Sequence, residues 1–213
     1  SNVFAACQKH GCKLVFFDNT YMYPRTSTPQ TEQTAFEPVG RKASVRAGIA
    51  TTLLTEMAAG TIEAMICRAP EFYGPGRTQS LSNTMVFDRI KAGKRALVPL
   101  SANASRAMAL LGNTPDAYGQ TWHLPVDPDR LSYREMIAIA ADLLGRKVSY
   151  VVVPRFVFRI GGIVNAQLKE AEELLPRYRV DNIFESAKFA DRFPDFAVTS
   201  YRDGIGMVVS PPA

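Results

Sequence analysis

Two short apolar runs, Leu14–Phe17 and Ala64–Cys67, stand out from the mixed sequence around them, and each passes at once into polar and turn-forming residues. Nearly continuous apolar runs of this length predict strands buried on both faces of a parallel sheet. Arg68 breaks the second run, and Gly74-Pro75-Gly76 closes it with turn chemistry. Between the runs, Val45, Ile49, Leu53, Leu54 and Met57 recur at helical spacing, which predicts a helix over 41–59 ended by Gly60. In open α/β sheets the ligand lies outside the carboxyl ends of the strands, so the segments after Phe17 and from Arg68 to Tyr73 face the chemistry. The plainer reading of the second segment is an ordinary strand followed by a Gly-Pro-Gly turn.

The remaining pattern supplies further elements. Val3, Phe4 and Cys7 predict a helix stopped at Gly11, and 25–38 is a polar loop rich in Pro, Thr and Gln. Leu81, Met85, Phe87 and Ile90 predict a helix over 81–92, and 96–100 reads as a short strand. Ser132-x-x-Glu135 is a capping box opening a helix that runs to Leu144-Gly145. The β-branched stretch Val148–Val153 predicts a strand, and 154–160 and 164–175 read as helices separated by Gly161-Gly162.

Composition changes this picture little. The 213 residues suffice for one large domain, or a domain and a small lobe. No apolar stretch approaches the length of a membrane span, and the N-terminus has no signal-peptide pattern, so a cytoplasmic location is expected. Three cysteines, Cys7, Cys12 and Cys67, form no Cys-x-x-Cys or Cys/His cluster and read as reduced, buried thiols; no metal site is expected. The net charge of +5 comes from scattered basic residues, which argues against a nucleic-acid footprint.

The loops after the two strands carry a resemblance. Met22-Tyr23-Pro24 stands where the extended short-chain dehydrogenase/reductase family, which includes the nucleotide-sugar epimerases and dehydratases, has a Ser/Thr-containing segment ending in Val-Tyr-Gly after strand five. Arg68-Ala-Pro-Glu-Phe-Tyr-Gly-Pro-Gly76 resembles the family's Arg-x-x-Asn-x-Tyr-Gly-Pro-Gly after strand six. Ala104–Leu111 looks like the helix that follows the family's Val-x-Asp segment, and Thr121–Pro125 resembles its seventh strand. Asp181–Phe193 and Tyr201–Ile205 resemble the C-terminal lobe that covers substrate. The resemblance implies a partial doubly wound, Rossmann-like parallel sheet with a small mixed α/β C-terminal lobe. Residues 1–76 would be the C-terminal half of a dinucleotide-binding domain, with strand 121–125 returning to it, and 77–120 and 126–213 the substrate-side lobe. The phosphate-cradling Gly-x-Gly-x-x-Gly is not in the sequence; by resemblance it and the first four strands precede residue 1, on the order of 80 to 100 residues. The implied cofactor is NAD or NADP. The implied partners are a small-molecule substrate and a second copy of the chain, with neither nucleic acid nor membrane.

One departure bears on mechanism. In the resembled family the helix over 41–59 opens with Tyr-x-x-x-Lys, the lysine lowering the tyrosine pKa and holding the nicotinamide ribose. Here Val39 falls at the tyrosine and Ala43 at the lysine, and a valine transfers no proton. Lys42 lies one residue, about 100° of helix rotation, from the lysine place; it is either a solvated helix terminus or a cofactor contact. The catalytic Ser/Thr place falls on Asn19 or, with a one-residue slip, Thr20. Tyr21 and Tyr23 are the acid/base candidates, set on one side by strand alternation. Tyr23 coincides with a family tyrosine that packs, which leaves Tyr21 as proton carrier, Thr20 as its hydrogen-bond partner and Glu71 acting through a water. Glu71 is alternatively the ion-pair partner of Arg68. The catalytic set is therefore Tyr21, Thr20 and Glu71, and the cofactor contacts are Phe17, Asp18, Asn19, Lys42, Ala69 and Pro70. His123 reads as a satisfied structural residue.

Three functions are compatible with these residues. The first is an NAD(P)-dependent epimerase, dehydratase or reductase acting on a nucleotide sugar or small carbonyl or hydroxyl substrate. The second is a non-catalytic NAD(P) sensor or interaction protein, favoured by the missing Tyr-x-x-x-Lys. The third, a stand-alone substrate lobe, conflicts with the bare apolar edge that Leu14–Phe17 would present.

Overall fold

The computed structural model describes residues 2–70, 86–94, 104–152, 154, 157–158, 172–173, 175–179 and 181–209. The two apolar runs become β1, Leu14–Asp18, and β2, Ala64–Arg68, joined by a parallel ladder in which Leu14 faces Ala64 and Asp18 faces Arg68. A third parallel strand, β3 (Thr121–His123), extends the sheet on the far side of β2, with Arg68 opposite His123. The order β1-β2-β3 makes β2 the central strand, and all five of its residues are buried. Arg68 is therefore the last residue of the strand rather than a break in it. At its amino-terminal four residues β1 is only half-buried, because β2 is its one partner among the described residues.

Helices cover both faces of this sheet, as a doubly wound α/β arrangement requires. Helices α1 (Asn2–His10) and α2 (Arg41–Ala58) pack on one face, where Phe4 and Leu53 meet Leu14, Phe16, Ala64 and Ile66. The opposite face receives α4 (Ala104–Gly112): a Cβ added at Gly112 would lie 3.6 Å from Val15. The buried face of α2 differs from the predicted stripe. Ala43, Ala47, Ala50 and Leu53 are inside, whereas Val45 is 54% exposed. Alanines weigh little in hydrophobic periodicity, yet their small side chains let α2 approach Met22 and Tyr23 closely.

Chain contacts group 1–70, 105–124 and 155–194 into one unit and 71–104, 125–154 and 195–213 into another. Residues 105–120 and 155–194 thus cluster with the sheet, where the family resemblance grouped them with the lobe. Within the sheet unit, Gln30 and Phe184 form a parallel bridge and α6 (Ala187–Arg192) lies beside β3. In the second unit the elements among the described residues are helices. Its core joins Val86, Phe87 and Ile90, at and before α3 (Asp88–Lys91), to α5 (Tyr133–Leu143) and α7 (Tyr201–Val209). The capping box is present as expected, with Ser132 and Glu135 each accepting from the other's backbone N–H. Residues 148–152 form no strand beyond a single bridging position at Tyr150, and Val152 is 79% exposed. β-branched propensity becomes a strand only where a ladder is offered. The predicted strand 96–100, the first five residues of the predicted helix 81–92 and most of 154–175 lie outside the described residues.

Candidate functional site

The parallel register places Asp18, Arg68 and His123 side by side at the carboxyl edge of the three strands. All three are buried, with Arg68 1% exposed. Their chemistry is completed by Tyr23, whose side chain is wholly inside. Arg68 donates from Nη1 to the Tyr23 hydroxyl at 2.7 Å and from Nε to Asp18 at 3.4 Å, and its guanidinium lies against the rings of Tyr23 and Phe36. The Tyr23 hydroxyl and His123 Nε2 are 2.7 Å apart, and His123 Nδ1 is 2.7 Å from the Glu185 carbonyl.

These contacts assign the protons. The Glu185 carbonyl can only accept, so Nδ1 carries the hydrogen and Nε2 accepts from Tyr23. Burial pushes the His123 imidazole down to about 4, against the opposing pull of Glu32, so the ring is neutral at pH 7. Burial likewise raises the Tyr23 phenol, with Arg68 acting in the other direction; the hydroxyl keeps its proton and donates it to the imidazole. Burial also raises the Asp18 carboxyl above its usual range, opposed by the Asn19 backbone N–H and by Arg68 and Arg46. Both ring nitrogens of His123 are occupied, and Phe184 stacks on its face at 4.0 Å. His123 is thus the structural residue that the sequence indicated, and it is in no position to serve as a base.

The loop after β1 is a turn, with Tyr23 N–H bonded to the Thr20 carbonyl and Tyr21 N–H to Asn19 Oδ1. Strand alternation therefore does not apply to Tyr21 and Tyr23. The turn sends Tyr23 into the core and leaves Tyr21 half-buried. Arg177, distant in sequence, clamps this turn: it donates to the carbonyls of Tyr21 and Tyr23 and to the Thr20 hydroxyl, and lies 5.9 Å from the centre of the Tyr21 ring. Thr20 is buried under that contact. At the end of β2, Ala69 is buried and Pro70 half-buried, with Ala69 N–H bonded to the Asp18 carbonyl. Asp18, Asn19, Thr20, Tyr21, Ala69 and Pro70 are thus gathered at the carboxyl edge, and Phe17 is half-buried in β1. Glu71 lies outside the described residues; among the described residues Arg68 makes an ion pair with Asp18.

Lys42 lies in the first turn of α2. Its backbone N–H donates to Glu173 Oε1 at 2.7 Å, which puts a carboxylate on the positive end of the helix. Gly40 makes room for it: φ is 98°, and a Cβ there would fall 2.5 Å from Glu173 Oε1. Arg25 ties the same place together by donating to the carbonyls of Val39 and Glu173. Ala43 is buried and Val39 is 52% exposed, so neither place holds a proton-carrying group. Sequence reasoning missed Arg177, Glu173, Arg46 and Glu32. The sequence carried no signal for them, because each acts on a residue at least 28 positions away, Arg46 on Asp18 being the nearest case.

The outer edge of β3 is closed by side chains. His123 N–H donates to Glu32 Oε1, and Lys188 Nζ, over the Trp122 ring, donates to the Thr121 carbonyl. A cavity of about 650 Å³ opens beside this edge, and the Arg192 and Asp116 side chains on its wall pair with each other at 3.1 Å. Among the described residues no cluster of His, Cys, Asp and Glu could hold a metal ion, and no helix is long and apolar enough to cross a membrane.

The sequence matches the NAD dependent epimerase/dehydratase family over residues 1–109. No curated protein matches it. Among solved structures it is similar to dTDP-glucose 4,6-dehydratase from Bacillus anthracis in complex with NAD, at 14% identity and a TM-score of 0.67, covering 97% of this chain and 64% of that one. It is also similar to UDP-glucuronic acid 4-epimerase from Bacillus cereus in complex with NAD, at 11% identity and a TM-score of 0.73, covering 98% and 64%. RMD from Pseudomonas aeruginosa in complex with NADPH gives 13% identity and a TM-score of 0.70, covering 99% and 70%. The chain spans less than two thirds of the first two structures' length, and at these identities the likeness is one of fold.

Proposed function

The chain belongs to the NAD dependent epimerase/dehydratase family, and from that premise we propose that its protein binds NAD or NADP at the carboxyl edge of β1 and β2 and acts on a nucleotide sugar or a small carbonyl or hydroxyl compound. The observation that carries the reading is the convergence of the family's two strand-end loops on one edge, with Asn19, Thr20 and Tyr21 after β1 and Ala69 and Pro70 after β2. Two features fit a nicotinamide there. The ends are small and uncharged at Asn19, Ala69 and Pro70, and Asp18 Oδ1 and Arg68 Nη2 are buried with no hydrogen bond among the described residues.

Phe17, Asp18, Asn19, Lys42, Ala69 and Pro70 are the residues that would hold the cofactor. When bound, the nicotinamide supplies hydride acceptance and return. The chain's own task is to move a proton, and Tyr21 is the candidate carrier, with the Thr20 hydroxyl as a hydrogen-bonding group and Glu71 as the second candidate. The Arg177 guanidinium beside Tyr21 supplies the local cation in this reading. The same proposal includes a second copy of the chain as partner and a cytoplasmic location.

Calorimetric titration of the full-length protein with NAD, NADH, NADP and NADPH tests the first step. Saturable binding of one oxidised and reduced pair is expected; none at about 1 mM overturns the proposal. A sensor is the second reading, favoured by Val39 and the buried Ala43 where a proton carrier and a cation would stand. Turnover separates the two: a sensor binds cofactor yet reduces nothing in a panel of nucleotide sugars and small carbonyls.

A further inference from the structure

The last turn of α1 is closed by a Schellman cap. Gly11 takes φ 61°, and Cys12 N–H donates to the Cys7 carbonyl at 3.0 Å, the six-to-one bond of that motif. The cap turns the residue after the left-handed glycine back toward the helix, and a contact between its side chain and the one that stands five places earlier is a frequent feature of the motif. Here both are cysteines. Standard bond lengths on either side of the 3.0 Å hydrogen bond limit their Cα separation to about 7 Å, the outer bound for pairs that a disulfide can bridge without backbone movement.

From this geometry we infer that Cys7 and Cys12 are a reversible dithiol–disulfide pair built into the cap of α1. The two thiols differ in a useful way. Cys12 is exposed, its Sγ resting 3.7 Å from the His10 carbonyl, whereas Cys7 is half-buried against the Phe4, Leu53, Ile62, Ala64 and Ile66 cluster. An apolar contact is the usual occupant of these two cap positions, and a buried cysteine serves as a small hydrophobe. An exposed Cys12 gains little from that role. Cys67 is the internal contrast: buried in β2, its thiol is pushed up to about 12 by burial, which withholds the thiolate that exchange requires.

With oxidised glutathione as the oxidant, the Cys12 thiolate attacks the glutathione disulfide, forms a mixed disulfide and releases one glutathione thiolate. Cys7 then attacks the Cys12 sulfur, forming the Cys7–Cys12 bond and releasing the second glutathione. The pair loses two electrons and two protons, and one glutathione disulfide becomes two thiols. The product clips the end of α1 to the turn that leads into β1, the element beside which α1 packs.

The test is redox titration of the native full-length protein in glutathione buffers, followed by alkylation of free thiols and peptide mapping. Cys7 and Cys12 should become unavailable together, with an intact-mass loss of about 2 Da and no added glutathione, while Cys67 is alkylated after denaturation at every potential. In Cys7→Ser the reaction should stop at a glutathione adduct on Cys12. The inference is overturned if Cys7 and Cys12 stay alkylatable in the most oxidising buffer. It is equally overturned if wild type accumulates the Cys12 adduct that marks Cys7→Ser, or if oxidation gives only chain-to-chain dimers on a non-reducing gel.

Discussion

Tyr23→Phe is the most direct probe of the row of buried polar groups at the sheet edge. The change removes one oxygen and keeps the ring, so packing against Met22, Ala47 and Phe36 and the contact with Arg68 persist. What is lost is specific: the acceptor for Arg68 Nη1 and the donor to His123 Nε2, each at 2.7 Å. Arg68 Nη2 already has no hydrogen bond among the described residues, so the variant leaves a buried guanidinium held by its Nε contact with Asp18. A buried group deprived of its partner costs about 1–3 kcal/mol, and a charged one lies at the upper end. Two such groups, partly relieved by relaxation, predict a destabilisation of about 2–4 kcal/mol. Urea unfolding followed by tryptophan fluorescence measures it, since Trp122 sits in β3. With a slope of about 2 kcal/mol per molar, the midpoint should fall by roughly 1–2 M without a change in slope. A loss under about 0.5 kcal/mol would refute the view that this hydroxyl joins the strand ends.

Other measurements reach the rest of the argument. His123 titrates near 4 in the fold and near 6.5 when unfolded, so the unfolded state binds the extra proton between these values. Stability should be full above pH 6.5 and decline as pH falls to about 4, by up to about 3 kcal/mol, and His123→Gln should flatten that window. Arg177→Ala removes three hydrogen bonds to the turn after β1; a loss of about 2–3 kcal/mol and faster amide exchange at Tyr21 and Tyr23 are expected, and unchanged exchange would deny the clamp. Gly40→Ala meets both the left-handed backbone and Glu173, and thermal or urea unfolding should register a cost of about 1–2 kcal/mol. If the protein turns over substrate, Tyr21→Phe should slow it by on the order of a hundredfold with cofactor affinity nearly unchanged. Full activity in that variant, together with a dead Glu71→Gln, assigns the proton to the carboxylate.

The chain's local chemistry was legible in its sequence. Leu14–Phe17 and Ala64–Cys67 became adjacent parallel strands because apolar runs of that length find burial only inside a sheet. Ser132 and Glu135 formed their capping box because that device is complete within four residues. The loop motif after β2 also pointed to the family, and the first residues after the two strands, Asn19 and Ala69, do stand at one edge. Where the reading failed, a residue's fate depended on the far side of a contact. Val45 is exposed while Ala43 and Ala47 are buried, since a close helix approach favours small side chains that periodicity hardly counts. Val148–Val152 stayed out of the sheet, as strand propensity needs a partner ladder. The tertiary structure alone decided that Asp18, Arg68 and His123 stand in one row, and that Tyr23 links Arg68 to His123. It alone brought Arg177 onto the Tyr21 turn and Glu173 onto the α2 terminus. The Tyr23–His123, Lys42–Glu173 and Tyr21–Arg177 pairings join positions a hundred or more residues apart in the chain, and burial fixes them by leaving each polar group only the partners that the fold brings within reach.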